Sequence, residues 1–171
     1  MCVLSVHLGL VSFVLLSGFM PNANVLVAIV SGFFSSFGVH YQLQERISPY
    51  QLEKAEAVMQ ELGLGSLGAR EFNALSTGQQ RRCLLGRALV HDPDTLILDE
   101  PTSGLDMTAS FEYMLRIREL ARRGCSLLLV THHLNEIPPE VDRVILLQDG
   151  AVAADGPKQS ILTSSLLSAA Y

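Results

Sequence analysis

Two short apolar runs, separated by one amphipathic helix, constrain this chain most. Thr95 to Leu98 and Cys125 to Val130 read as strands, and Thr108 to Arg123 reads as a helix closed by Gly124. That helix carries Phe111, Met114, Leu115 and Leu120 as its apolar residues. Strands that do not alternate apolar with polar residues are usual where both faces are covered, as in parallel sheets. Strand, helix and strand at this length make a right-handed crossover unit with parallel strands. The expected class is therefore α/β, around a parallel sheet. Both strands then end on one edge of that sheet, where open α/β sheets bind ligands.

The flanking segments extend this framework. Val3 to Leu16 reads as a strand running into a loop at Pro21-Asn22-Ala23-Asn24, and Val25 to Phe37 as a short apolar helix. Ser48-Pro49-Tyr50-Gln51 opens a stronger helix, with Ser48 as cap, Pro49 in the first turn and Gln51 completing a capping box. Leu52, Ala55, Val58, Met59 and Leu62 share one face of it, and Gly63 ends it. A further helix starts near Ser76 and stops before Pro93. Leu84, Leu85, Ala88 and Leu89 form its apolar side, and Arg81, Arg82 and Arg87 are expected elsewhere on it. Val144 to Leu147, the turn Asp149-Gly150 and Ala151 to Ala154 read as a hairpin. A helical middle, about 25–91, thus sits inside an α/β framework.

At 171 residues the chain is long enough to bury a real core. Its net charge of −5 argues against general attraction to nucleic acid. Cys2, Cys83 and Cys125 are far apart and odd in number, which reads as free thiols in a reducing compartment. The first charged residue is Glu45, so Met1 to Met20 superficially suggests a signal or a membrane span. The run has no basic n-region, and Ser5, His7, Gly9, Ser12, Ser17 and Gly18 interrupt it. A buried strand and helix, whose covering partners lie upstream, is the competing reading.

The sheet edge carries the chemistry. Asp99-Glu100 leaves the first strand there and Thr131-His132 the second. Asp99 suits Mg²⁺, usually through water; Glu100 suits an attacking water; His132 suits a phosphoryl oxygen as charge builds. Phosphoryl transfer needs positioning and electrostatics of this kind. Each piece alone has a plainer reading. Asp99-Glu100-Pro101 is then an acidic turn, and His132-His133 a loop pair with no carboxylate at metal-binding spacing. Ser76 with Gln79 is then only a capping box. Gly78, however, also lets backbone approach an anion at a helix N-terminus, and all the pieces in one order point to a joint origin.

In that order the chain resembles the ATP-binding cassette ATPase family. Leu75-Ser76-Thr77-Gly78-Gln79 is similar to its signature motif, with Thr77 in place of the usual glycine. Leu96 to Glu100 resembles its Walker B strand, Ser103-Gly104-Leu105-Asp106 its D-loop and His132 its switch histidine. The resemblance is strong over 72–156 and collinear back to Gly9. It implies a P-loop NTPase-type sheet with an inserted helical subdomain, about 25–91, and a Walker B to switch-histidine part over 92–156. It implies ATP and Mg²⁺ as ligands. Ser76, Thr77, Gly78 and Gln79 would bind nucleotide, Ser76 and Gly78 at the γ-phosphate of ATP held by a partner. Asp99 would serve Mg²⁺, Glu100 the water, His132 the γ-phosphate and Asp106 the dimer contact. A second cassette subunit and a transmembrane permease are the implied partners, with the chain cytoplasmic at the inner face of the membrane. Val30-Ser31-Gly32-Phe33-Phe34, with Leu10-Val11-Ser12 before it, is similar to cassettes of the molybdate-transport-related type.

The resemblance has gaps. The family's Gly-x-x-x-x-Gly-Lys-Ser/Thr loop and adenine-stacking aromatic do not occur, and the only lysines are Lys54 and Lys158. Phe13 falls where the Q-loop glutamine is expected. One expectation is a miscalled start or a truncated gene. Another is a real short form that pairs with a complete cassette and supplies the signature to it. A soluble cassette acting on nucleic acid or the ribosome is disfavoured by the acidic balance. The chain alone is expected to turn over little ATP and to be poorly soluble.

Overall fold

The computed structural model describes residues 8–12, 23–34 and 47–170. Three strands form a parallel sheet in the order β1 (Leu8–Ser12), β2 (Thr95–Asp99), β3 (Ser126–Val130). Leu10 pairs with Ile97 and Ile97 with Leu128, so the two crossover strands run side by side as expected. The remainder of the expected strand over Val3 to Leu16 lies outside the described residues.

Four helices accompany this sheet. α1 (Val25–Val30) is capped by Asn24, whose side chain accepts from the Val27 amide, and tightens into a 3₁₀ turn over Ser31–Phe34. The tail of the helix expected to Phe37 is outside the described residues. α2 (Pro49–Glu61) and α3 (Thr77–Leu89) each begin with a complete capping box, Ser48 with Gln51 and Ser76 with Gln79. α4 (Met107–Arg122) is capped by Asp106. One continuous core joins them: Val25 and Ile29 of α1, Val58 and Met59 of α2, Leu84 and Leu85 of α3, Leu96 and Leu98 of β2, Tyr113 and Ile117 of α4. Gly32 is required where α3 crosses the 3₁₀ turn. A Cβ there would lie 2.2 Å from the Arg87 carbonyl oxygen.

Three expectations are corrected. Among the described residues, the sheet is covered on one face only. Leu96 and Leu98 are buried, whereas Leu10, Leu128 and Val130 are 46%, 51% and 49% exposed on the other face. Apolarity on both sides of a strand registers a need for cover that the described residues meet on one side. On α4, Phe111 and Leu115 are exposed, and the core-facing residues are Tyr113 and Ile117, with Met114 and Leu120 half-buried. Spacing of i and i+4 from Tyr113 defines that stripe. On α2, Ala55, Val58 and Met59 are buried but Leu52, in the first turn, is exposed.

A second compact unit comprises residues 137–171. Its hairpin pairs β4 (Arg143–Gln148) with β5 (Ala151–Pro157). Asp149 and Gly150 both have positive φ, as a type I′ turn needs. Arg143 makes a two-pronged ion pair with Asp155, at 2.8 and 2.7 Å. Two short helices, α5 (Lys158–Ile161) and α6 (Ser164–Ala170), follow. No helix among the described residues is long and apolar enough to cross a membrane.

Candidate functional site

Two helix N-termini meet at a cleft of about 490 Å³. Ser76, Thr77 and Gly78 come from the start of α3; Gly104, Leu105, Asp106 and Ala109 come from the loop into α4 and its first turn. The α3 capping box holds its entry rigid. The Gln79 amide donates to Ser76 Oγ at 3.3 Å, and the Ser76 amide donates to Gln79 Oε1 at 3.0 Å. Gln79 is therefore committed to the cap and does not line the cleft, whereas the other three signature residues do. Asp106 does the same service for α4, accepting from the Ala109 amide at 2.8 Å. Gly104 turns the loop with φ +77°. Gly78 brings its Cα close enough to Ala109 that an added Cβ would sit 3.3 Å from the alanine methyl. Unpaired amides and aligned peptide dipoles make such a lining receptive to an anion.

The second cluster lies at the carboxyl edge of the sheet. Asp99 pairs in register with Val130, which brings the ends of β2 and β3 together. The Glu100 amide then donates to the Val130 carbonyl at 2.9 Å. Glu100 adopts φ 46°, a left-handed conformation that costs a non-glycine residue roughly 1–2 kcal/mol. Its carboxylate meets His132 with Oε1 2.6 Å from Nδ1. Its other oxygen, Oε2, is buried without a hydrogen-bond partner. Asp99 accepts from Ser12 Oγ at 2.9 Å through Oδ2. The site residues thus fall into two sets, Ser76, Thr77, Gly78 and Asp106 in the cleft, and Asp99, Glu100 and His132 at the edge.

Several residues that the sequence reading passed over tie these parts together. Arg81 is fully buried, and its Nη2 donates to the Ser103 carbonyl at 2.6 Å, fastening α3 to the loop before α4. Burial lowers its pKa, against the opposing fields of Tyr113, Glu136 and Asp99. Its placement contradicts the expectation that it rides away from the apolar side. Arg81 stands at i, i+3, i+4 and i+7 with Leu84, Leu85 and Ala88, so the helical period itself carried the signal. Glu136, also buried, accepts from the hydroxyls of Thr102, just beyond β2, and Thr131, just beyond β3. No motif marked it. Tyr113 is buried beside Arg81, and burial raises its pKa.

Comparison with known proteins agrees with this geometry. Residues 19–103 match the ABC transporter family. An uncharacterized ABC transporter ATP-binding protein of Bacillus subtilis (strain 168), YlmA, is 36% identical over 166 residues, covering 96% of this chain and 61% of that protein. The hemin import ATP-binding protein HmuV of Rhodopseudomonas palustris (strain HaA2) is 34% identical over 124 residues, covering 68% of this chain and 47% of the relative. An ABC transporter described as of the metal-chelate type, in an inward-facing conformation, superposes with a TM-score of 0.80 at 25% identity, over 96% of this chain and 63% of its own. The chain spans about three-fifths of the length of the first of these relatives. Its parallel sheet, helical middle and ordered motifs accord with these matches, and the chain belongs to the ABC transporter ATPase family, in its nucleotide-binding domain.

Proposed function

We propose that this chain is an ATP-binding subunit whose ATP hydrolysis drives a transmembrane permease, and that it works paired with a second cassette. The observation that carries the reading is the separation of the site into two sets facing different places. The cleft of Ser76, Thr77 and Gly78, which Arg82 also lines, is open to an anion at a helix N-terminus, which suits the terminal phosphate of ATP held by a partner subunit. Asp106, on the rim of the same cleft, suits the contact between subunits. The edge set suits hydrolysis. Glu100 orients and deprotonates water, and His132 donates to a phosphoryl oxygen. Asp99, an acidic group at the strand end, fits a hard oxygen-seeking cation, and Mg²⁺ bound there would neutralise phosphate charge. Gln79 serves the cleft indirectly, through the cap. By this reading the subunit lies against the cytoplasmic face of the membrane.

A second reading is favoured by the completeness of the cleft: the chain lends Ser76 to Gly78 to a complete partner cassette and itself hydrolyses nothing. One experiment separates the two. The full chain is purified from its own host with the cassette that accompanies it, and Mg²⁺-dependent ATP turnover is followed. Glu100→Gln is expected to lower turnover by about 10²-fold or more. If Glu100→Gln is neutral while Gly78→Asp abolishes turnover, the chain is a signature donor. If neither substitution changes turnover, both readings fail.

A further inference from the structure

His133 was left without a role by the hydrolytic reading, yet it completes a second kind of site. Its ring lies against that of His132, with centroids 3.8 Å apart and planes at 44°. One ligand atom each from Glu100, His132 and His133 falls within 4.8 Å of the others. The carboxylate that sequence spacing could not supply to the histidine pair comes from the neighbouring strand. We propose that Glu100, His132 and His133 form a binding site for a divalent transition metal ion of the Zn²⁺ class, separate from the Mg²⁺ that accompanies nucleotide.

Three observations point to a ligand. Glu100 Oε2 is buried with no hydrogen-bond partner, an arrangement that leaves charge to be neutralised. The Glu100 carboxylate is turned toward the histidine loop, its Oε1 2.6 Å from His132 Nδ1. Both imidazoles are exposed, so an ion can reach them from solvent. Two nitrogens and one carboxylate oxygen favour Zn²⁺, Co²⁺ or Ni²⁺ over Mg²⁺, which prefers oxygen and keeps its waters. Tetrahedral ligands about 2.1 Å from the ion stand roughly 3.4 Å apart. Rotation of two exposed histidines closes the remaining gap, and the hydrogen bond between His132 Nδ1 and Glu100 Oε1 gives way to the ion. Three protein ligands leave one position for water. The ion would occupy the carboxylate and the imidazole assigned above to hydrolysis, so binding switches off that half-site; this consequence, unlike the binding itself, rests on the proposed ATPase reading.

Binding is tested with Co²⁺ on the full chain carrying no polyhistidine tag. One equivalent of Co²⁺ is expected to give the intense visible band of a four-coordinate ion, which Zn²⁺ then erases. His133→Ala, a change at an exposed side chain, is expected to weaken binding by about 10-fold or more. His91→Ala, away from the cluster, is expected to leave it unchanged. Absence of the band overturns the proposal, as does a band that survives His133→Ala or that shows the near-ultraviolet absorption of thiolate ligands. The consequence is read on the accompanied cassette, where micromolar Zn²⁺ is expected to inhibit the wild type more than His133→Ala. Equal inhibition overturns the switch. A Co²⁺ band without any ATP turnover leaves the metal site standing and removes the ATPase reading.

Discussion

Glu136 gives the sharpest test of how the site is held. Its buried carboxylate accepts from Thr102 and Thr131 and faces Arg81. Truncation by Glu136→Ala removes two hydrogen bonds to a charged acceptor, each contributing about 1.5–3 kcal/mol. It also leaves the Arg81 guanidinium buried with less opposing charge, and breaking a buried ionic set by deleting one member costs about 3–5 kcal/mol. The two hydroxyls recover part of their loss from water once the side chain is gone. The expected destabilisation is therefore about 3–5 kcal/mol. For a chain of this size that lowers Tm by roughly 6–20 °C. Glu136→Gln keeps the shape and one acceptor and should lose about half as much. Urea unfolding of the three proteins, followed by circular dichroism, measures this directly. A loss under about 1 kcal/mol for Glu136→Ala, the level of an ordinary surface substitution, would refute the reasoning.

Other expectations follow from single features. Burial, opposed by nearby Arg87, pushes the Cys83 thiol up to about 12. The folded state thus favours the protonated thiol, and its contribution is complete below pH 9 and lost as pH rises toward 12. The slope approaches about 1.4 kcal/mol per pH unit in that window. Cys83→Ala should flatten the fall in urea midpoint above pH 9 relative to wild type; an identical slope would exclude the thiol. Gly32→Ala should destabilise by about 1–3 kcal/mol or more, since its methyl meets the rigid Arg87 carbonyl. A neutral result would mean that α3 and the 3₁₀ turn separate readily. Leu128→Glu, on the uncovered sheet face, should change stability by less than about 0.5 kcal/mol and increase the soluble fraction. A loss above 2 kcal/mol would show that this face is covered in the folded protein.

Much of the fold was legible because the signals were local. The capping boxes at Ser48 and Ser76, the positive-φ turn at Asp149-Gly150 and the β2 and β3 runs each depend on neighbours within a few residues. What failed was sidedness. The apolar run Leu127-Leu128-Leu129 specifies a strand, but nothing within it says whether one or both faces meet a helix. On α4 the large apolar residues Phe111 and Leu115 carry no mark of exposure, although Tyr113 and Ile117 hold the buried phase. At the site, the parallel register made the meeting of Asp99, Glu100 and His132 predictable. The link from Glu136 to Thr102 and Thr131 was not, because a lone glutamate after a histidine loop gives no local sign of burial. The likeness to the family tied motifs to roles, but the cleft built by Ser76 and Asp106 could be described only once α3 and α4 stood side by side.

Buried polar residues link the two halves of the site. Arg81 leaves the signature helix and holds the Ser103 carbonyl, so the α3 entry and the loop ahead of α4 cannot separate without stranding a guanidinium in the core. Thr102, one residue before Ser103, is held by Glu136, and Glu136 also holds Thr131 beside His132. These contacts form a continuous path from the cleft wall through Ser103 and Thr102 to the histidine loop, along which a shift is expected to be transmitted. An apolar core would fill the same space with less directional constraint. Replacing both Arg81 and Glu136 by methionine separates stability from this coupling. The double variant is expected to fold with less loss than Glu136→Ala alone, since the buried guanidinium and the buried carboxylate are removed together, while ATP turnover in the accompanied cassette falls. Full turnover in a stable double variant would show that the buried pair holds the fold and transmits nothing.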